Sequence, residues 1–96
     1  MIGRLRGKIV HKTLNQAIVD VGGVGYLLSM PLSDLTSTGD GETTLFVHTH
    51  VREGAIELFG FLEEFSMAVF QHLISVNGVG PKTAIAMLSG LGAFAL

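Results

Sequence analysis

The hydrophobic rhythm of the chain changes once, at Leu62. Before that point apolar and polar residues alternate at the period of two that a half-buried strand requires. Ile2 to Val10 is rich in β-formers with charges interspersed. Ala17 to Val21 runs into Gly22-Gly23, and Tyr26 to Met30 resumes beyond that turn, so the pair reads as a hairpin. Pro31 closes this strand, and the polar stretch Ser33 to Gly41 is expected to be a loop. In Thr43 to Val51 one face carries Leu45, Val47, Thr49 and Val51, and the other carries Phe46, His48 and His50. Ile56 to Phe61 is a last short strand. Five short strands joined by tight turns predict a small antiparallel β barrel over residues 1–61, of which the five-stranded OB-fold is a common case.

From Leu62 onward the period is helical. Glu63 and Glu64 place negative charge where a helix N-terminus favours it. Phe65, Val69, Leu73 and Val76 then recur at three- and four-residue spacing, as an apolar helix stripe does. Asn77-Gly78 stops that helix, Pro81 suits the first turn of the next, and Lys82 to Leu91 continues in good helix formers. Residues 62–96 are therefore expected to be all-α. Their apolar end, Gly92 to Leu96, carries no cap and has the look of a cut edge.

Composition narrows the class without choosing it. With 48% apolar residues in 96, the chain can bury a core, and a partner subunit would help a domain so small. No apolar run approaches the roughly 20 residues of a membrane span. The absence of cysteine removes disulfides, zinc–thiolate sites and cysteine nucleophiles, and fits a cytoplasmic location. A net charge of −2 does not favour nucleic acid, but its distribution is uneven. Residues 1–12 hold Arg4, Arg6, Lys8 and Lys12 and no acid; the remainder sets all eight acids against Arg52 and Lys82. Any affinity for DNA must then come from local geometry and from oligomerisation.

The stretch Leu73 to Leu88 supplies such geometry, because apolar residues flank Gly78-Val79-Gly80 on both sides. The glycines let the backbone turn sharply and approach an anion closely. Val79 between them can point inward and pin two helices together. The second helix starts at once, offering unpaired N–H groups and the positive end of its dipole. Pro81 loses nothing by lacking an N–H there, Lys82 adds a charge, and small Ala84 allows close helix packing. Asn77, Gly78, Val79, Gly80, Lys82 and Thr83 are the candidate DNA-phosphate-binding residues. The plain alternative is a helical hairpin whose glycines serve only the turn. Nucleotide-binding loops are excluded by spacing: no Gly-x-x-x-x-Gly-Lys occurs here, and a dinucleotide fingerprint would need glycine at Thr83.

These residues closely resemble the first helix–hairpin–helix of the RuvA family of Holliday junction branch-migration subunits. Met1 to Gly7, Val21 to Tyr26, Val51-Arg52-Glu53 and Leu58 to Phe61 resemble the same family, in order along the whole chain. The resemblance implies an OB-fold followed by a middle domain with two helix–hairpin–helix motifs, of which residues 62–96 would hold the first. It further implies a mobile C-terminal domain that binds the ATPase partner RuvB, and a homotetramer that holds a four-way junction open. Phosphates would be gripped across the minor groove without reading sequence. Catalytic residues and cofactors are not expected, since the motor is RuvB. An acidic "pin" that repels strands at the junction centre would fall on Glu53, but Gly54 stands where the family usually has aspartate. Whether Glu57 supplies the missing charge depends on which way it faces. The chain stops before the second motif and the RuvB-binding domain, so weak junction binding and no stimulation of RuvB are expected.

Other candidates are weaker. His48 and His50 share a strand face, with His72 a conceivable third metal ligand after folding, but two surface histidines suffice to explain them. Tyr26, Phe46, Phe59 and Phe61 could stack bases, although core packing or a subunit interface explains them better. His11 and the basic first strand fit DNA contact and plain solvation equally. A glycosylase or nuclease would need an acid or lysine near the hairpin, and no ionisable side chain follows Lys82. A single-strand binder with no junction preference is the remaining alternative.

Overall fold

The computed structural model describes residues 1–91, so the apolar end at Gly92 to Leu96 lies outside the described residues. Five strands form a closed, OB-like barrel: β1 (Arg4–Lys12), β2 (Gln16–Val21), β3 (Val24–Ser29), β4 (Glu42–Arg52) and β5 (Ala55–Phe61). Their order around the barrel is β1-β2-β3-β5-β4, with β4 returning to β1. The long strand β1 makes closure possible by pairing twice. Arg4 to Lys8 lie against β4, and beyond them Lys8 to Lys12 lie against β2 across an irregularity between Ile9 and His11. The barrel is not wholly antiparallel as expected: β3 meets β5 in parallel through the single pair Ser29↔Phe59. A chain that reverses at every turn cannot place β5 antiparallel to both neighbours, because β3 and β4 run in opposite directions around it.

Alternation puts Leu5, Ala17, Val19, Leu28, Met30, Leu45 and Val47 inside the barrel. The expected loop over residues 33–41 instead opens with α1 (Leu32–Ser37), a short helix that adds Leu35 to the same core. One buried leucine in six residues is too little for a helical period to show in the sequence. The helix is held by contacts from elsewhere: the Lys12 ammonium donates to the carbonyls of Leu35 and Thr38, capping its end.

Of two further helices, α2 (Glu64–Ile74) packs on the outside of β4 and β5, and α3 (Pro81–Leu91) packs against α2 and α1. Gly60 explains how. It faces the barrel interior, where a Cβ would lie 2.8 Å from Leu28 Cδ1 and 3.3 Å from Met30 Cγ. Its neighbours Phe59 and Phe61 must then point outward, and they join Phe70, Ala84, Ile85 and Leu88 in a second core. Phe70 stands 5.1 Å, centroid to centroid, from both rings. Two cross-links reinforce the union: Leu32 N–H donates to Ser89 Oγ at 2.9 Å and Leu62 N–H to Asp34 Oδ2 at 3.1 Å.

The apolar stripe expected on α2 is correct only in its middle. Val69 and Leu73 pack against the second core, but Phe65 and Val76 are 51% and 50% exposed. Phe70 and Ser66 are the buried positions. With apolar residues on most sides of this helix, periodicity did not single out a face; the two outward phenylalanines of β5 did. Phe70→Ala should therefore cost about 3–5 kcal/mol, as removal of a buried aromatic does, while Phe65→Ala should cost less than about 1 kcal/mol. Urea unfolding of the two variants measures this order, and equal losses would contradict the packing described.

Candidate nucleic-acid interface

The turn between α2 and α3 is built almost wholly from backbone. Ser75 and Val76 N–H groups close the end of α2 onto the carbonyls of His72 and Leu73, at 3.2 and 3.1 Å. Gly78 has φ +90°, a conformation that side-chain-bearing residues rarely adopt, and this reverses the chain. Val79 N–H returns to the Val76 carbonyl, and the Val79 side chain packs against the second core. The Gly80 carbonyl then accepts Ala84 N–H at 3.0 Å, the first helical bond of α3. Ala84 itself is fully buried, so the two helices meet closely there.

What remains is a row of donors aimed at solvent. Among the described residues the N–H groups of Gly80, Lys82 and Thr83 have no protein acceptor, and Pro81 has no N–H to satisfy. Asn77, Gly78, Gly80, Lys82 and Thr83 are exposed; Val79 alone of the six candidate residues turns inward. A Cβ on Gly80 would meet nothing within 4 Å, so the protein's own packing does not demand glycine there. Open space at that point leaves the backbone approachable from outside.

This turn faces the barrel across a groove of about 330 Å³ lined by His50, Arg52, Glu57, Gly80, Pro81, Lys82 and Thr83. The barrel wall was missed in the sequence, though one signal was available: the alternation that puts His48 and His50 on one face of β4 puts Arg52 there too. The strands' last pair is Arg52↔Ala55, leaving Glu53-Gly54 as the tip of the hairpin, with Gly54 at φ +79°. Glu53 is exposed at that tip. Glu57 does not share its direction. Its Oε1 accepts a 2.8 Å hydrogen bond from Arg52 Nε, so its charge is spent on the groove wall. Arg52 keeps its other N–H groups without a protein acceptor among the described residues.

The remaining candidates sort by burial. Phe59 and Phe61 are core residues and offer no ring face to a base; Tyr26 and Phe46 are half-buried. His48 lies between barrel and helix, its ring edge-on to Phe70 at 5.4 Å and its Nδ1 3.2 Å from Gln71 Nε2. Burial first, and the neighbouring His50 second, hold the His48 pKa below its ordinary 6.5. His72 is exposed on α2, and among the described residues no three His, Asp or Glu side chains are grouped as a metal site would need. On β1, Arg6 pairs with Glu42 at 3.0 Å and Lys12 caps α1, so two of the four early cations have protein partners. No described helix is long and apolar enough to cross a membrane.

Residues 1–60 match the family model described as the RuvA N terminal domain. The Holliday junction branch migration complex subunit RuvA of Syntrophotalea carbinolica is 53% identical over 97% of the chain and 48% of its own length. The proteins of the same description from Solibacter usitatus and Thioalkalivibrio sulfidiphilus are 48% and 51% identical, each over 97% of the chain and 48% and 47% of their own lengths. The chain thus spans about half the length of the curated relatives it matches.

The histidine at the barrel–helix boundary makes stability depend on pH. Just below 6.5 the unfolded chain protonates this residue before the folded one does, so the unfolded state binds more protons there. Stability should therefore fall as pH drops below 6.5 and level off above it. Asp34 acts oppositely in a separate window. Its pKa is raised above 3.8 by burial foremost and by Glu63, against the Leu62 N–H bond, so stability falls as pH rises through the range just above 3.8. Melting temperatures at about pH 5.5 and pH 7.5 check the histidine window, which brackets its ordinary pKa of about 6.5. His48→Gln should flatten the difference; a variant that retains all of it would assign the effect to other groups.

Proposed function

The chain belongs to the RuvA family, and from that premise we propose that it binds four-way (Holliday) DNA junctions without reading sequence. It would serve as the DNA-holding, non-catalytic subunit of a branch-migration complex whose ATP-driven motor is RuvB, in recombination and repair. One observation carries this: the turn at Asn77 to Thr83 presents free N–H groups, the start of α3 and the Lys82 ammonium to a single open groove. Phosphodiester is the anion such a row of donors suits, because contacts of this kind fix register on a duplex while leaving base edges unread.

In this proposal residues 1–61 are the OB-fold domain and residues 62–96 the first helix–hairpin–helix of a middle domain. The DNA-phosphate-binding residues are Asn77, Gly78, Val79, Gly80, Lys82 and Thr83, with Val79 acting from inside by fixing the turn. Four copies would surround the junction as a homotetramer, in the cytoplasm, with no cofactor of their own. Glu53, at the exposed tip of the β4–β5 hairpin, is the acidic pin, and it acts alone because Glu57 is turned to Arg52.

Competition among a four-way junction, linear duplex and single strand at matched salt tests the substrate class. The junction should be preferred; equal affinity for all three would remove the junction assignment, and preference for single strand would favour a general OB-type binder. Lys82→Ala should weaken binding to all sequences equally and lower the salt slope by about 0.9 for each phosphate that a subunit ceases to neutralise. An unchanged slope would show that Lys82 does not pair with a phosphate. Gly54→Asp should restore a second carboxylate at the tip, at about 1–2 kcal/mol for a side chain at positive φ. A 2-aminopurine base at the junction centre should then fluoresce more strongly; no change would argue against a pin at this turn.

A further inference from the structure

The groove beside the α2–α3 turn has two walls, and only one belongs to the helices. The other is β4, where His50 and Arg52 stand on one face, two residues apart. His50 is held in place twice over. Its backbone pairs with Glu57 in the β4–β5 ladder, and its ring sits edge-on to buried Phe59, 6.3 Å between centroids. Among the described residues the only acid lining the groove, Glu57, is already engaged by Arg52, so its charge does not stand free against an incoming anion.

We propose that His50 is a second, proton-dependent phosphate contact: the phosphate gripped by Gly80 to Thr83 is met from the barrel side by the His50 imidazolium. This rests on the assignment of the turn as the DNA-phosphate grip. A neutral imidazole offers one N–H donor, whereas the imidazolium offers two and a full charge, and histidine is the side chain whose ordinary titration falls between pH 5 and 8. His48 and Arg52 on β4 and Lys82 on α3 are the basic groups that face His50. Glu57, opposite His50 in the strand register, is the acid on β5, and its carboxylate is engaged by Arg52. Near His48, α2 presents the uncharged Phe70 and Gln71. Because protonation favours the phosphate, the phosphate must equally favour protonation, so DNA affinity rises on acidification.

The test uses the whole chain and a short-armed four-way junction, with binding followed by fluorescence anisotropy over a salt series at about pH 6 and about pH 8, either side of the ordinary histidine range. The log–log salt slope should steepen at the lower pH by about 0.9 for each phosphate that His50 neutralises in a subunit. His50→Gln should abolish that steepening. His50→Arg should bind with the steep slope at both pH values, and His72→Gln, which alters an exposed histidine outside the groove, should behave like the parent. Circular dichroism melts of each variant at both pH values establish that the folded state is what is compared. Persistence of the steepening in His50→Gln, with Lys82→Ala still weakening binding at both pH values, overturns the His50 contact and leaves the turn's role intact. If Lys82→Ala has no effect at either pH, the grip itself is wrong and the His50 contact falls with it.

Discussion

The rest of the molecule depends on the packing of Phe59 and Phe61 from the barrel against Phe70 from α2. Each of these rings is almost wholly buried, and burial of one such side chain contributes about 1.5–3 kcal/mol, with paired rings adding about 0.5–1.5 kcal/mol beyond area. Those rings face outward because Gly60, between them, leaves the barrel interior to Leu28 and Met30. A bulky residue at position 60 would contest that space directly. The union of barrel and helices is thus written into a Phe-Gly-Phe triplet, and it sets where the α2–α3 turn stands relative to β4.

From that placement follows the character of the groove. The chain carries more acid than base, so any attraction for a polyanion cannot be a bulk property. Backbone N–H groups at the start of α3, whose positions are fixed by helix geometry, supply donors without adding net charge. Lys82 and Arg52 reach the same space from different elements. Two of the four cations near the N-terminus are meanwhile occupied with Glu42 and with the end of α1. Charge is concentrated by folding, not by composition.

The β4–β5 hairpin shows how one strand pair can divide its acids between roles. Glu53 and Glu57 lie four residues apart, but the turn at Gly54 separates them. Glu53 ends at the tip in solvent, while Glu57 falls back along β5 opposite His50 and accepts from Arg52. An exposed pair of this kind contributes at most about 1 kcal/mol to stability, so its consequence is the orientation of the guanidinium more than the strength of the fold.

Much of this was legible in the residues themselves. Alternation over residues 2–61 determined the five strands, because a period of two shows in a strand whatever its partner is. Gly78-Val79-Gly80-Pro81 determined the turn between two helices, since backbone conformation there is a local matter. Three things needed the tertiary structure. The helix α1 exists because Leu35 finds the barrel core and Lys12 its carbonyls, contacts more than twenty residues distant. The buried face of α2 centres on Phe70 and not on Phe65 because β5 presents two phenylalanines to it. And the barrel wall of the groove, with Glu57 turned to Arg52 and His50 beside Lys82, arises where elements far apart in sequence are packed together, which no spacing along the chain can encode.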